Sequence, residues 1–160
     1  MLIHLMQHGA CLSEELDPNQ PLSPVGKEMV TKAARAAAIL GLRFELVVAS
    51  PKLRSRQTAE IMAEATGYPV SRIQVTDAAK AMTKPEATID FIKEYQGLDS
   101  VFLAGHLPSL AKVASTLLTN GAELALRIEN GGLMQIDLPA KGNGTLNWHL
   151  SPAQLALIAG

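Results

Sequence analysis

Three short segments of the chain end in residues able to act together on an anion. Leu2 to Gly9 is an apolar run that stops at Gln7, an imidazole, His8, and a glycine. Phe44 to Ala49 feeds Ser50-Pro51-Lys52-Leu53-Arg54-Ser55-Arg56-Gln57-Thr58, and Ser100 to Ala104 feeds Gly105-His106-Leu107-Pro108. A neutral imidazole is a competent nucleophile towards phosphorus, a guanidinium grips phosphate oxygens in pairs, and a helix N-terminus offers N–H donors. Groups of this kind transfer a phosphoryl group with positive charge in place of a metal ion. Taken singly, each of these residues is only a polar group ending a strand. The pattern carries weight because all of them follow strands.

The elements that must position them can be read from periodicity and punctuation. Apolar runs of this length read as strands buried on both faces, with ligand crevices at their carboxyl ends. Between the first two runs, Ser23 caps a helix that Pro24 opens and Gly41 stops, with an apolar stripe at Val25, Met29, Ala33, Ala36 and Leu40. A second helix runs from the Arg54 segment to about Thr66, with Gly67 as its stop. Arg72 to Thr76 is a third strand, and Pro85 opens a helix with Ile89, Ile92 and Tyr95 on its apolar side. After the Ser100 strand comes a helix from Ser109 to about Leu118. Leu124 to Ile128, Leu133 to Leu138 and Thr145 to Leu150 then read as three strands, and Ser151-Pro152 caps a last short helix. The expectation is a three-layer α/β/α sandwich with a mostly parallel sheet and antiparallel strands late in the chain.

Composition narrows the function classes. The 160 residues suit one domain, residues 1–160, without a linker. A formal net charge of -1 with scattered Lys and Arg argues against nucleic acid as a partner. No apolar stretch is long enough to span a bilayer, the N-terminal run lacks the form of a signal peptide, and the one cysteine, Cys11, cannot pair internally, so a cytoplasmic location without membrane association is expected. The Cys11 to Gln20 loop, with Glu14, Glu15 and Asp17, reads as solvated surface; His4 reads as a hydrogen-bonded core residue, His149 as structural or exposed, and Trp148 as packing. His8 and Cys11 do not make a metal site without further ligands, so neither metal nor cofactor is expected.

His8-Gly9, the Ser50-Pro51-x-x-Arg54-x-x-Gln57-Thr58 segment and Gly105-His106 resemble the histidine phosphatase superfamily, whose members share a phosphoglycerate mutase-like fold. Pro21-Leu22-Ser23-x-x-Gly26, Gly105-His106-Leu107-Pro108 and Asn143-Gly144-Thr145-Leu146-Asn147-Trp148-His149-Leu150-Ser151-Pro152 are similar to its SixA-type phosphohistidine phosphatases, and the resemblance covers nearly the whole chain. It implies that His8 is the nucleophile that becomes transiently phosphorylated, that Arg54 holds the phosphoryl oxygens, and that His106 completes the pocket and shares in neutralising charge. Gln7, Gly9 and Leu107 join the expected phosphate-binding set, with backbone N–H groups near His8 and Gly9 as further donors; Arg56 falls at a variable position and reads as helix surface. The family pattern begins Arg-His-Gly, and this chain has Gln7 at the first position.

Asp77 and Glu86 are the only acidic residues in the region where a proton donor is expected, and both read as solvated. An oxygen ester needs such a donor, whereas a phosphoramidate can release neutral imidazole. That chemistry favours phosphohistidine over a sugar phosphate, and the resemblance implies a phosphohistidine-bearing protein of a phosphorelay or phosphocarrier as substrate, with a phosphate or sulfate anion able to occupy the site. Two other readings stay open: a pseudophosphatase that binds a phosphorylated partner without turnover, and a small-molecule phosphomonoesterase.

Overall fold

The computed structural model describes residues 1–160. Strands β1 (Leu2–Gln7), β2 (Leu46–Ala49), β3 (Gln74–Val75), β4 (Ser100–Gly105), β5 (Leu133–Asp137) and β6 (Thr145–Leu150) form one sheet in the order β3-β2-β4-β1-β5-β6. The first four are mutually parallel where they pair, and β5 and β6 are antiparallel additions beside β1. Helices α1 (Pro24–Ile39), α2 (Leu53–Thr66) and α5 (Pro152–Ala159) cover one face; α3 (Pro85–Lys93) and α4 (Ser109–Thr119) cover the other.

Alternation along the central strands builds the two cores. Met6, Val47, Ala49, Phe102 and Ala104 pack under α1, α2 and α5, while Ile3, Leu5, Leu46, Val48, Val101 and Leu103 pack under α3 and α4. The Ser23 hydroxyl accepts the Gly26 N–H at 3.0 Å to cap α1, Pro24 occupies its first turn, and Gly41 leaves it at a φ of +75°. The stripe on α1 is rotated from the one read in the sequence. Val30, Ala33, Ala34, Ala36 and Ala37 are buried, whereas Val25 and Leu40 are exposed. Close approach sets this phase, since a Cβ at Gly26 would lie only 1.8 Å from the Ala10 carbonyl oxygen. The small residues therefore face the sheet and the larger ones form the rim.

Two strand expectations are corrected. Arg72 to Thr76 contracts to Gln74–Val75 after a 3₁₀ turn at Val70–Arg72; as an edge strand it pairs only with β2 and both its residues are exposed. Leu124 to Ile128 is not a strand at all. Its Leu124, Leu126 and Ile128 are half-buried and the residues between them exposed, and Leu126 and Ile128 pack against the α3–α4 core. A period of two reports one dry side and one wet side, and here it is met without a paired strand.

His4 is the core histidine the sequence suggests, at 1% exposure. Its Nδ1–H donates to Val101 O at 3.1 Å, its Nε2 accepts from Gln135 Nε2 at 2.9 Å, and Gln135 Oε1 accepts from Asn147 Nδ2 at 2.8 Å. A proton added at Nε2 would face another donor, and burial accordingly pushes the His4 pKa down to about 4 against the opposing Val101 bond. A histidine depressed on folding supports stability above its unfolded value near 6.5, and that support is lost as pH falls from there towards 4. The full effect is about 3 kcal/mol. Urea titrations at pH 7 and pH 4.5 should give a smaller loss for His4→Gln than for the parent; equal losses would refute this assignment.

Candidate active site

β1, β4 and β2 lie side by side and run the same way, so their carboxyl ends open on one crevice. Gln7 stands opposite Gly105 and Ala49 opposite Ala104, so the following residues, His8, His106 and Ser50, are brought together by register. The two imidazoles have ring centroids 4.8 Å apart at an interplanar angle of 58°. His8 is 8% and His106 3% exposed.

Hydrogen bonding determines which nitrogen of His8 keeps a lone pair. Nδ1 lies 2.7 Å from the Gly9 carbonyl oxygen, which can only accept, so Nδ1 carries the proton. Nε2 keeps its lone pair and accepts the Arg54 Nε–H at 3.3 Å. Burial lowers the His8 pKa, the Gly9 bond opposes that shift, and the Arg54 charge adds to it. The imidazole is thus neutral and nucleophilic at neutral pH.

The same reasoning assigns His106. Ser50 Oγ accepts the Lys52 N–H at 3.3 Å, and the acceptor within reach of its own proton is His106 Nε2 at 2.6 Å. His106 therefore carries its proton on Nδ1. Burial, followed by the charges of His8, Arg54 and Lys52, pushes its pKa down to about 3. Before an anion binds, this leaves His106 without the charge the sequence suggested. It is a neutral N–H donor, and the cations of the site are Arg54 and the neighbouring Lys52.

The Arg54-x-x-Gln57-Thr58 spacing places these side chains on one face of α2. Thr58 Oγ1 donates to Arg54 O at 2.8 Å and accepts the Gly9 N–H at 3.1 Å, while Gln57 Oε1 accepts the Leu22 N–H at 2.8 Å. One helix turn thus presents the guanidinium to His8 and anchors the β1–α1 loop.

Backbone donors at His8 and Gly9 are a second correction. The His8 N–H goes to Gly105 O at 3.0 Å, and that of Gly9 to Thr58. Gly9 serves packing, since a Cβ there would lie 2.5 Å from Val30 Cγ2. Leu107 N–H, one residue past His106, has no partner in the chain and is, with the N–H groups of Ala10 and His106, a backbone donor left beside the pair. Gln7 is half-buried, and its Oε1 is buried without a hydrogen-bond partner, so the amide end left to meet a ligand is Nε2–H₂.

Asp77 and Glu86 make no hydrogen bond or ion pair with either histidine. Asp77 is exposed and paired with Lys80 at 2.9 Å, and Glu86 lines a surface cavity with Lys112, Ser115 and Thr116. Arg56 is exposed and borders, with Lys52 and Arg54, a cavity of about 410 Å³. A further cavity of about 330 Å³, lined by Met1, Leu138 and Asn143, lies at the amino end of β1, away from His8. Two residues of the site were not singled out from the sequence. Ser50 is visible there only as a strand-ending serine, and Asn130 only as part of an Asn-Gly-Gly turn. In the fold, Asn130 Nδ2 donates to His8 O at 2.9 Å and Gly131 N–H to Gln7 O at 2.9 Å, clamping the end of β1.

The family profile of the histidine phosphatase superfamily (branch 1) matches residues 3–77, which hold His8 and Arg54. The phosphohistidine phosphatase SixA of Escherichia coli strain K12 is 27% identical, with 98% of this chain and 98% of that protein covered. A structure of the protein histidine phosphatase SixA complexed with tungstate superposes with a TM-score of 0.87 at 25% identity, covering 97% of this chain and 99% of that one. An alpha-ribazole phosphatase from Shigella flexneri shares the fold with a TM-score of 0.76 at 16% identity, covering 95% and 97%. The sheet order with its antiparallel edge is thus the phosphoglycerate mutase-like fold, and the chain is similar to the histidine phosphatase superfamily and, within it, to the SixA-type proteins.

Proposed function

We propose that this single-domain protein is a phosphohistidine phosphatase acting on a phosphorylated protein in the cytoplasm through a covalent phospho-His8 intermediate. The observation that carries this reading is the state of His8: a buried neutral imidazole with its proton held on Gly9 O and its Nε2 lone pair beside Arg54. His8 Nε2 attacks phosphorus and the bond to the leaving nitrogen breaks. The Arg54 Nε–H turns from the lone pair to a phosphoryl oxygen as the new bond forms. Gln7 Nε2, His106 Nδ1 and Leu107 N–H donate to the remaining oxygens, and water then hydrolyses phospho-His8. Neither Asp77 nor Glu86 hydrogen-bonds or pairs with either histidine, which favours nitrogen-linked over oxygen-linked phosphate, and the tungstate held by the SixA structure suits an anion at this position.

Loss of label from a phosphohistidine-bearing domain, with release of inorganic phosphate, tests the proposal; a wild-type protein that leaves the label intact would overturn it. The uncharged Gln7 favours one second reading, a binding module for a phosphorylated partner, and phosphate affinity without turnover would select it.

Ser50 is given a defined part. Its hydroxyl fixes the His106 tautomer, so Ser50→Ala should lower kcat/KM about tenfold, the worth of one buried hydrogen bond. An unchanged kcat/KM would remove Ser50 from the site.

A further inference from the structure

We infer that the cavity beside Gln7 is a leaving-group subsite built for a protonated imidazole, with Glu129 and Asn130 as its acceptors. This deepens the function proposed above and rests on it. The cavity has a volume of about 460 Å³, and its wall includes Gln7, Leu107, Ile128, Glu129, Asn130 and Pro152. It adjoins the catalytic pair through the chain itself: Gln7 precedes His8, Leu107 follows His106, and Asn130 Nδ2 is bonded to His8 O at 2.9 Å.

The lining sorts by chemistry. On the side of His8, Gln7 has its Oε1 buried, leaving Nε2–H₂ as a donor for a phosphoryl oxygen. The polar groups that the Glu129–Asn130 turn contributes to the wall are acceptors. Asn130 commits its Nδ2–H to His8 O, leaving Oδ1 free, and the exposed Glu129 carboxylate is engaged in no salt bridge. Its negative charge is felt locally, since it opposes the burial that lowers the His149 pKa. Leu107, Ile128 and Pro152 supply apolar surface for a flat ring.

A phosphoimidazole protonated on its second ring nitrogen fits that division. Its N–H meets Asn130 Oδ1 or the Glu129 carboxylate while its phosphoryl oxygens meet Gln7. When His8 Nε2 bonds to phosphorus, the electron pair of the broken P–N bond returns to the substrate ring. The ring loses its positive charge and departs as neutral imidazole with the second-nitrogen proton in place. No proton has to move in that step, so a carboxylate that holds the cationic form is more useful than an acid that donates. The same carboxylate repels a leaving group that departs as an anion, as in an aryl phosphate.

The test is kcat/KM of wild type and Glu129→Gln on two substrates, a phosphohistidine peptide and p-nitrophenyl phosphate. Glutamine keeps the shape of an exposed side chain and removes its charge. The ratio of peptide to ester kcat/KM should fall about tenfold, the size of one charge-assisted hydrogen bond. Wild-type turnover of the peptide with an unchanged ratio in Glu129→Gln would overturn this subsite and leave the proposed function standing. Wild-type turnover of the ester alone would overturn the proposed function itself.

Discussion

His8→Ala should reduce phosphatase activity by about 10⁴-fold or more, the scale seen when the covalent nucleophile of an enzyme is removed. The other groups of the site do not substitute for it. His106 is the nearest imidazole, but its Nε2 is bound to Ser50 and its Nδ1 carries the proton, so it offers no lone pair to phosphorus. The loss should not come from unfolding. Gly9 N–H stays on Thr58 and Asn130 stays on the carbonyl of residue 8, both through backbone groups that alanine retains. Circular dichroism and the urea midpoint should therefore match the wild type, and phosphate should still bind through Arg54. A variant that kept activity within tenfold of the parent would remove His8 from the chemistry.

Gln7→Arg should raise turnover. A charge-assisted contact to a phosphoryl oxygen contributes roughly 2 to 4 kcal/mol more in a transition state than glutamine's neutral donor. That corresponds to about 30-fold to 1,000-fold in rate. The structure adds a reason to expect the substitution to be tolerated. Gln7 Oε1 is buried with no donor, an arrangement that costs about 1 to 3 kcal/mol. Arginine has no acceptor atom, so the orphaned group disappears with the substitution. Steady-state kinetics and a urea melt of the same preparation check both parts. A rate unchanged within threefold would mean that Gln7 already performs fully in this site, or that position 7 does not reach the phosphoryl group. Phosphate affinity separates the two, since only a contacting residue changes it.

Much of the site was legible in the sequence because strand ends are sharply punctuated. His8, Ser50 and His106 each follow the last residue of a strand, and parallel register then places them at one edge. The strand order that makes β4 the neighbour of both β1 and β2 is not local information, and it is what converts three strand ends into one crevice. The Arg54-x-x-Gln57-Thr58 spacing carried more than its guanidinium, since Gln57 and Thr58 hold the loop that carries His8. The protonation of the site was not legible. The positive character expected of His106 depends on burial and on neighbouring cations that only the fold assembles. Gly9 illustrates the same limit: its presence was plain, but whether it met an anion or a neighbouring side chain was decided by Val30, part of α1. Asn130 reads as a turn residue because Asn-Gly-Gly is a turn signal, and its bond to His8 O spans 122 residues of chain.

The central claim is that phosphorus passes through His8. Wild-type protein mixed with a radiolabelled phosphohistidine domain, quenched within milliseconds and digested under alkaline conditions that preserve phosphohistidine, should yield a labelled N-terminal peptide. Fragmentation should place the phosphate on His8, and the label should disappear as inorganic phosphate accumulates. Release of phosphate at the wild-type rate with no label ever reaching His8 would contradict the account.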